Sequence, residues 1–493
     1  QGAGSAEKLA IKSLSYFRNN FENISAHPLI QKLQTIIDLE MDENHILKET
    51  INYGIAFHHA KLPNIVKEGI EELISSGLIR ILCATTTLAQ GMNFPITTVL
   101  FDSLNVGGGS SSRELTNSEF WNIAGRAGRA YMDKEGHIII KMLNSKRSTI
   151  DKTKSLIYDR TQTITSSLAK FFDELKEYNF NYELIKDNPA IQNFLQYINH
   201  ILRVSYKYNL TNVDTSKIRN ILETSLVFQE SSYEEGFFET QEKFSNFSKR
   251  YIDSLKGKDT TRLTIADTLG ITNISLETIS GLTLNHIKNI KEIYGADRVS
   301  EYTNATQIIL DSQSNDKLAP IVEIISRIPE IKLSLTGHGS FQAEQVAKLI
   351  ISWVNGKKIN DIADEIRYEN ESYEKILNMC YQYVNSTMTS FVPWGMSIYQ
   401  QITNDKENEA ENLPSYIYYG VNDFESLIFA KIGIPRSLVN NIKETYKKKY
   451  PTDLISIENI EIMRNKILNY SDTDFKLLNK NPHIVKSIIK SKL

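Results

Sequence analysis

Two arginines set three residues apart, each directly after a glycine, give this chain its most unusual chemical feature, Asn122-Ile-Ala-Gly-Arg-Ala-Gly-Arg129. Arginine forks suit phosphate oxygens. Gly125 and Gly128 leave the backbone bare, permitting close approach and uncommon dihedrals. Taken alone, the pattern also fits two surface arginines at the end of a helix. A second segment is Ala84-Thr-Thr-Thr-Leu-Ala-Gln-Gly-Met-Asn-Phe-Pro95, where Thr85, Thr86 and Thr87 follow an apolar run. Their hydroxyls and N–H groups can hold a nucleic-acid backbone, and an ordinary turn is the plain alternative. A third segment, Gly54-Ile-Ala-Phe-His-His-Ala60, ends a short apolar stretch on His58 and His59.

These segments need elements to position them, and the first 150 residues supply an alternation. Gly54–Phe57, Leu78–Ala84, Thr97–Phe101 and Gly136–Ile140 read as strands. After Pro63, the residues Ile65, Val66, Ile70, Leu73 and Ile74 recur at helical spacing up to Gly77, and a second helix is expected over about Asn117–Arg129. Strand, helix, strand in this order predicts a parallel sheet with helices on its faces. Ligands in such sheets sit at the carboxyl ends of the strands. The loops to inspect are therefore His58–Pro63, Thr85–Pro95 and the turn around Gly125–Arg129.

Beyond about Asp151 helical patterns dominate, with examples at 168–178, 191–202, 341–354 and 373–384. Val346, Leu349, Ile350, Trp353 and Val354 form one stripe, which Gly356 is placed to stop. The polar stretches Asp311–Lys317 and Thr403–Asn412 read as loops. The expected organisation is an α/β lobe over 1–150, a helical accessory region over 151–402, and a helical block over 413–493.

Composition bounds the function. The chain has 493 residues, 41% hydrophobic and 23% charged, with a formal charge of -3. It is globular and carries no bulk positive field, so nucleic-acid contact must come from local patches. Only Cys83 and Cys380 are present, and the nine histidines show no ligand spacing with them. A disulfide framework and a thiolate zinc site are excluded, and a reducing, cytoplasmic setting is expected. No apolar run approaches the ~18 residues of a membrane span.

Taken together and in order, YGIAFHHAKL, ATTTLAQGMNFP and NIAGRAGR resemble the second RecA-like lobe of superfamily 2 helicases. The branch is the DExH-box group of Ski-type and DNA-repair helicases, in which GIAFHHAGL, ATSTLAEGVNLP and QMIGRAGR occur. Lys61 stands where that family has glycine, and Asn122 where it has glutamine. Weaker similarity continues at 351–366 and 413–442. The resemblance implies an ATP-dependent DNA or RNA helicase using ATP and Mg2+, with Arg126 and Arg129 reaching the γ-phosphate. It places Gly91, Asn93, Gly125 and Gly128 on the nucleotide side, and His58, His59 and Thr85–Thr87 on a single-stranded or tailed-duplex nucleic acid.

Such a motor needs a first lobe carrying GxxxxGK[ST]. Here Gly257-Lys258 is followed by Asp259 and Gly356-Lys357 by Lys358, so the motif is not in this sequence. Asp42-Glu-Asn-His45 spells a DExH-like tetrapeptide by chance resemblance, with no apolar strand before it. The chain is therefore expected to open inside the second lobe, with the P-loop lobe upstream or on a partner chain, and to hydrolyse no ATP alone. A nucleic-acid-binding module without ATPase activity and a helical interaction scaffold are the alternatives. Neither role needs Arg126 and Arg129.

Four further features complete the reading at this level. Asn105–Ser112 is a glycine-rich excursion rather than a phosphate loop. Ile432-Gly-Ile-Pro-Arg-Ser-Leu438 fits either a helix-hairpin-helix turn holding a DNA phosphate or a plain helix–helix turn. Residues 441–493 hold 11 Lys+Arg against 6 Asp+Glu, a solvated face or a patch for a departing strand. Trp353 and Trp394 read as core or interface residues, with base stacking a second role for Trp394.

Overall fold

The computed structural model describes residues 3–41, 43–59, 61–85, 96–106, 113–128, 135–141, 147–158, 188–210, 237–311, 314–331, 340–367, 371–403 and 412–471, with a few short stretches besides. The chain divides into two compact units. The first gathers 1–162, 348–389 and 415–493, and the second 163–347 and 390–414.

In the first unit, β1 (Ile55–His58) pairs in parallel with β2 (Ile81–Ala84), in the register Ile55↔Ile81 to His58↔Ala84. All four β1 residues are buried, as a parallel strand covered on both faces requires. Gly54 begins the pair at φ +67°, and its carbonyl accepts from the Arg80 and Ile81 N–H groups. A side chain there would meet the Leu78 carbonyl oxygen at 2.8 Å, so only glycine fits. Three helices before β1 are α1 (Ala3–Phe17), α2 (Pro28–Glu40) and α3 (Ile46–Ile51). The connecting helix α4 (Asn64–Ser75) buries Val66, Ile70, Leu73 and Ile74 and packs on α2 and β1, while α1 crosses β1 and β2. His45 of the DExH-like tetrapeptide caps α3, its Nδ1 accepting from the Leu47 N–H at 3.3 Å.

A second parallel pair joins β3 (Thr98–Phe101) to β6 (His137–Ile140). Between them, β4 (Asn105–Val106) and β5 (Arg113–Glu114) pair antiparallel, so the glycine-rich excursion is flanked by a short hairpin stem. Next comes α5 (Asn117–Ala124), opened by a capping box between Thr116 and Glu119. Phe120 of α5 stacks on Phe101 at 4.9 Å in a core shared with Val106, Leu115 and Ala124. The helix expected to reach Arg129 ends at Ala124, because Gly125 caps it and the following N–H groups turn back onto Ile123 and Ala124. After β6, α6 (Arg147–Tyr158) receives the Trp121 indole N–H on its Leu156 carbonyl at 3.1 Å.

The helical segments of this unit are tied by Arg436. Its guanidinium lies 3.9 Å over the Trp353 ring and donates to the carbonyls of Gly420 (2.9 Å), Lys357 (3.0 Å) and Trp353. The Trp353 indole N–H donates to Ile417 at 3.0 Å. Around the proposed helix-hairpin-helix turn, the Gly433 and Ile434 N–H groups bond Ala430 and Phe429. Ser437, in the first turn of the helix Arg436–Lys449, donates to Glu40 at 2.9 Å. A carboxylate of the lobe thus stands at the helix end where a phosphate would bind. Lys443, Lys447, Lys449 and Lys466 pair with Asp423, Glu425, Asp474 and Asp453; of these acids only Asp423 and Glu425 lie outside 441–493, so they offset two of the five excess positive charges (11 against 6).

The second unit is helical. Ile191, Leu195, Ile198 and Leu202 on one face of Pro189–Tyr206 pack against Phe247 and Tyr251 of Phe237–Leu255. Asp267 is fully buried and holds His200 (3.2 Å) and Arg203. Trp394 spends its indole N–H on the Leu269 carbonyl at 2.7 Å, which makes it part of the packing. The expected helix at 168–178 lies mostly outside the described residues. Among the described residues, no helix is long and apolar enough to cross a membrane.

Candidate functional site

The carboxyl ends of β1 and β2 are stitched together. The Thr85 N–H donates to the His58 carbonyl at 3.2 Å, which extends the parallel ladder one residue past β2. Thr85 is half-buried there. The histidine rings turn inward. His58 Nε2 lies 3.3 Å from the Glu71 carboxylate of α4, and His59 Nε2 lies 2.8 Å from Glu7 of α1. The two residues are 7% and 2% exposed, so neither ring lies open to a ligand. His59 also stacks on Phe57 at 5.7 Å. Neither Nδ1 has a partner among the described residues. Burial, then Lys67 and His59, pushes His58 down to about 4. The neutral ring therefore donates its Nε2–H to Glu71, whose own carboxyl is raised by burial.

The other end of the 85–96 segment meets the arginine turn. The Gly128 N–H donates to Ile96 at 2.8 Å, Ile96 bridges Ala127 in parallel fashion, and the His137 N–H donates to Thr97 at 3.0 Å. Backbone therefore packs on backbone. A Cβ on Gly136 would lie 2.2 Å from the Ala127 carbonyl oxygen and 2.8 Å from the Gly128 nitrogen, and one on Gly128 would lie 3.1 Å from Gly136. Gly128 adopts φ +78°, the left-handed geometry anticipated for these glycines, whereas Gly125 stays right-handed at φ -65°. Arg126, half-buried, follows the helix cap with its N–H on Ile123 at 3.1 Å. The turn that carries Arg126 therefore sits at the amino ends of β3 and β6, not at the carboxyl ends expected for a ligand loop, because Gly128 and Ala127 pair with Ile96 ahead of β3.

Thr86, Thr87, Gly91, Asn93 and Arg129 lie outside the described residues. The structure brings Thr85, His58 and His59 to one strand end, and Gly125, Arg126 and Gly128 to the far end of the segment that Thr85 begins. Sequence reasoning missed Gly136, although a glycine directly before a β-rich run was the available signal. It also missed Glu7 and Glu71, which no local pattern marks.

Comparisons with known proteins bear on the lobe as a whole. The helicase conserved C-terminal domain family matches residues 13–131. The N-terminal part of this chain is a helicase C-terminal domain. Over it the chain is 44% identical across 135 residues to the antiviral helicase SKI2 of Saccharomyces cerevisiae, covering 27% of this chain and 10% of that protein. Human superkiller complex protein 2 is 43% identical across 94 residues, 19% of this chain and 8% of that protein. The Hachiman protein HamB of Bacillus cereus is 24% identical across 463 residues, which take in 82% of this chain and 38% of HamB. The chain thus spans a minor part of each of these relatives. The helicase C-terminal domain is the small parallel-sheet region, and a largely helical region follows it.

Proposed function

We propose that this chain supplies the second motor lobe and helical accessory segments of an ATP-dependent nucleic-acid helicase. One observation carries the reading. Thr85 is bonded to the histidine strand at the carboxyl ends of β1 and β2, and Ile96 and Thr97, ahead of β3, are bonded to Gly128 and His137 beside Arg126, so one lobe carries both the threonine–histidine rim and the arginine turn. A lobe with a threonine rim at one strand end and an arginine turn at another can contact a strand through the first and a polyphosphate through the second.

In this reading Thr85 bonds the nucleic-acid backbone, with Thr86 and Thr87 beside it. His58 and His59 act from beneath, fixing the strand end through Glu71 and Glu7. A guanidinium beside glycine-bared backbone is a donor set that suits a polyphosphate, so the residues present fit the phosphates of ATP, while Mg2+, which needs oxygen ligands, would be held mainly by the first lobe. That group supplies the phosphoanhydride to be hydrolysed. Gly91, Asn93, Gly125 and Gly128 line its side of the cleft, while Arg126 and Arg129 set positive charge where the equatorial oxygens gain negative charge. The P-loop that cradles the other phosphates belongs to a first lobe, on the same polypeptide or a partner. The strand is single-stranded or tailed-duplex nucleic acid.

The test is strand binding. A backbone-reading rim has no sequence preference and loses affinity with added salt. Thr85→Ala should weaken binding of a single strand by about 1 kcal/mol, one hydrogen bond's net worth. Strong sequence preference with a flat salt response would overturn the assignment.

A further inference from the structure

The helix Tyr373–Gln382 runs into a π-helical turn over Tyr383–Thr387, closed by the Met388 N–H on the Tyr383 carbonyl at 2.8 Å. Such turns insert one residue into a helix and occur frequently at functional positions. Val384 and Met388 remain buried within it. Asn385 instead reaches away, and its Nδ2 donates to the backbone carbonyl of Lys61 at 3.0 Å. A carbonyl oxygen can only accept, so the amide orientation is fixed by its partner.

Lys61 lies in the loop that follows the histidine pair. That loop is closed on itself by the Leu62 N–H on the His59 carbonyl at 3.2 Å. One residue before His59, the His58 carbonyl takes the Thr85 N–H. A continuous path therefore runs from the π turn through the 59–62 loop to Thr85. We propose that Asn385, set out of helical register by the π turn, is a positioning residue that fixes this loop and thereby the strand-binding end of β1 and β2 for single-stranded nucleic acid. The proposal rests on the reading of that rim given above. It explains why a helix distant in sequence breaks its regular turn at the residue that meets the lobe.

Asn385→Asp keeps the shape but sets a carboxylate against the Lys61 carbonyl. Two readouts on the 493-residue chain test the idea: amide hydrogen exchange of peptides covering 59–62, and fluorescence-anisotropy binding of labelled oligo(dT) and oligo(U). The expected result is faster exchange in that loop, an unchanged overall unfolding midpoint, and binding weakened about five- to ten-fold. Unchanged loop exchange overturns the proposal. So does faster exchange with wild-type binding, provided Thr85→Ala weakens binding in the same assay, because the loop is then tied down without acting on the strand. If neither variant changes binding, the rim reading fails together with the proposal. Should Asn385→Asp not fold, Asn385→Ser, which only shortens the donor, takes its place with the same two outcomes.

Discussion

Replacing Gly136 with alanine tests the packing that holds the Arg126 turn against β6. Gly136 has no left-handed backbone to lose, so at an open site the change would stabilise the chain by about 0.4–1 kcal/mol through the unfolded state. Here the new methyl would sit 2.2 Å from the Ala127 carbonyl oxygen, 2.4 Å from the Ala127 carbonyl carbon and 2.8 Å from the Gly128 nitrogen. All three are backbone atoms, which cannot swing aside as a side chain can. The turn must move by about 1 Å, at an overpacking cost of roughly 1–3 kcal/mol, with the Gly128–Ile96 and His137–Thr97 bonds at stake. Set against the gain of about 0.4–1 kcal/mol, the net is a local loss of about 1.3 kcal/mol, equivalent to a ~10-fold rise in opening. Hydrogen exchange on peptides covering 96–101 and 137–141 should show that rise, while peptides from the second unit stay unchanged. Wild-type exchange rates in Gly136→Ala would refute the backbone-on-backbone contact and, with it, the placement of Arg126.

Three other outcomes follow from the same physics. His58 has a folded-state value near 4 against an ordinary 6.5, so the unfolded state takes up the proton first as pH falls. Stability is complete above about pH 6.5 and drops by about 3 kcal/mol by pH 4; His58→Gln should flatten urea midpoints across that window, and an unaltered pH profile contradicts the burial argument. Lys443, Lys447 and Lys449 already hold acidic partners, so their combined change to Gln should leave the salt slope of strand binding unchanged, whereas a slope reduced by two or more would restore the basic-patch reading. Gly281 lies exposed within the helix Asn273–Tyr294 with nothing within 4 Å of a Cβ, so Gly281→Ala should raise stability by about 1 kcal/mol in a denaturant titration; a destabilised variant argues against a helix interior there.

The lobe was legible because its signals are local. Short continuous apolar runs, Pro63 at a helix start and glycines at turns mark β1, α4, β2, β3 and β6 directly. The end of α5 was overextended because arginine and alanine are good helix formers, whereas Gly125 and the backbone bonds after it decide the stop. The histidines show what spacing hides. Ring orientation depends on Glu7 and Glu71, which come from helices packed on the strand, and no pattern around His58 encodes them. Asn385 is a further case, since its partner lies 324 residues away. The Lys-rich C-terminal block stayed open between a solvated face and a patch because counting charges over 441–493 leaves out Asp423 and Glu425, which the fold brings to it.

Nucleic-acid-stimulated ATP hydrolysis, measured with a P-loop lobe supplied to this chain, tests the central claim most directly. Arginines that reach a transferring phosphoryl group are worth roughly 10³- to 10⁵-fold in rate. Arg126→Ala should therefore remove the stimulated activity while strand binding largely survives. Arg126→Lys should not restore it, because an ammonium lacks the planar fork. The chain without the added lobe should hydrolyse no ATP. Hydrolysis by the bare chain, or full activity in an Arg126→Ala, Arg129→Ala double variant, would contradict both the role of the arginines and the two-lobe mechanism.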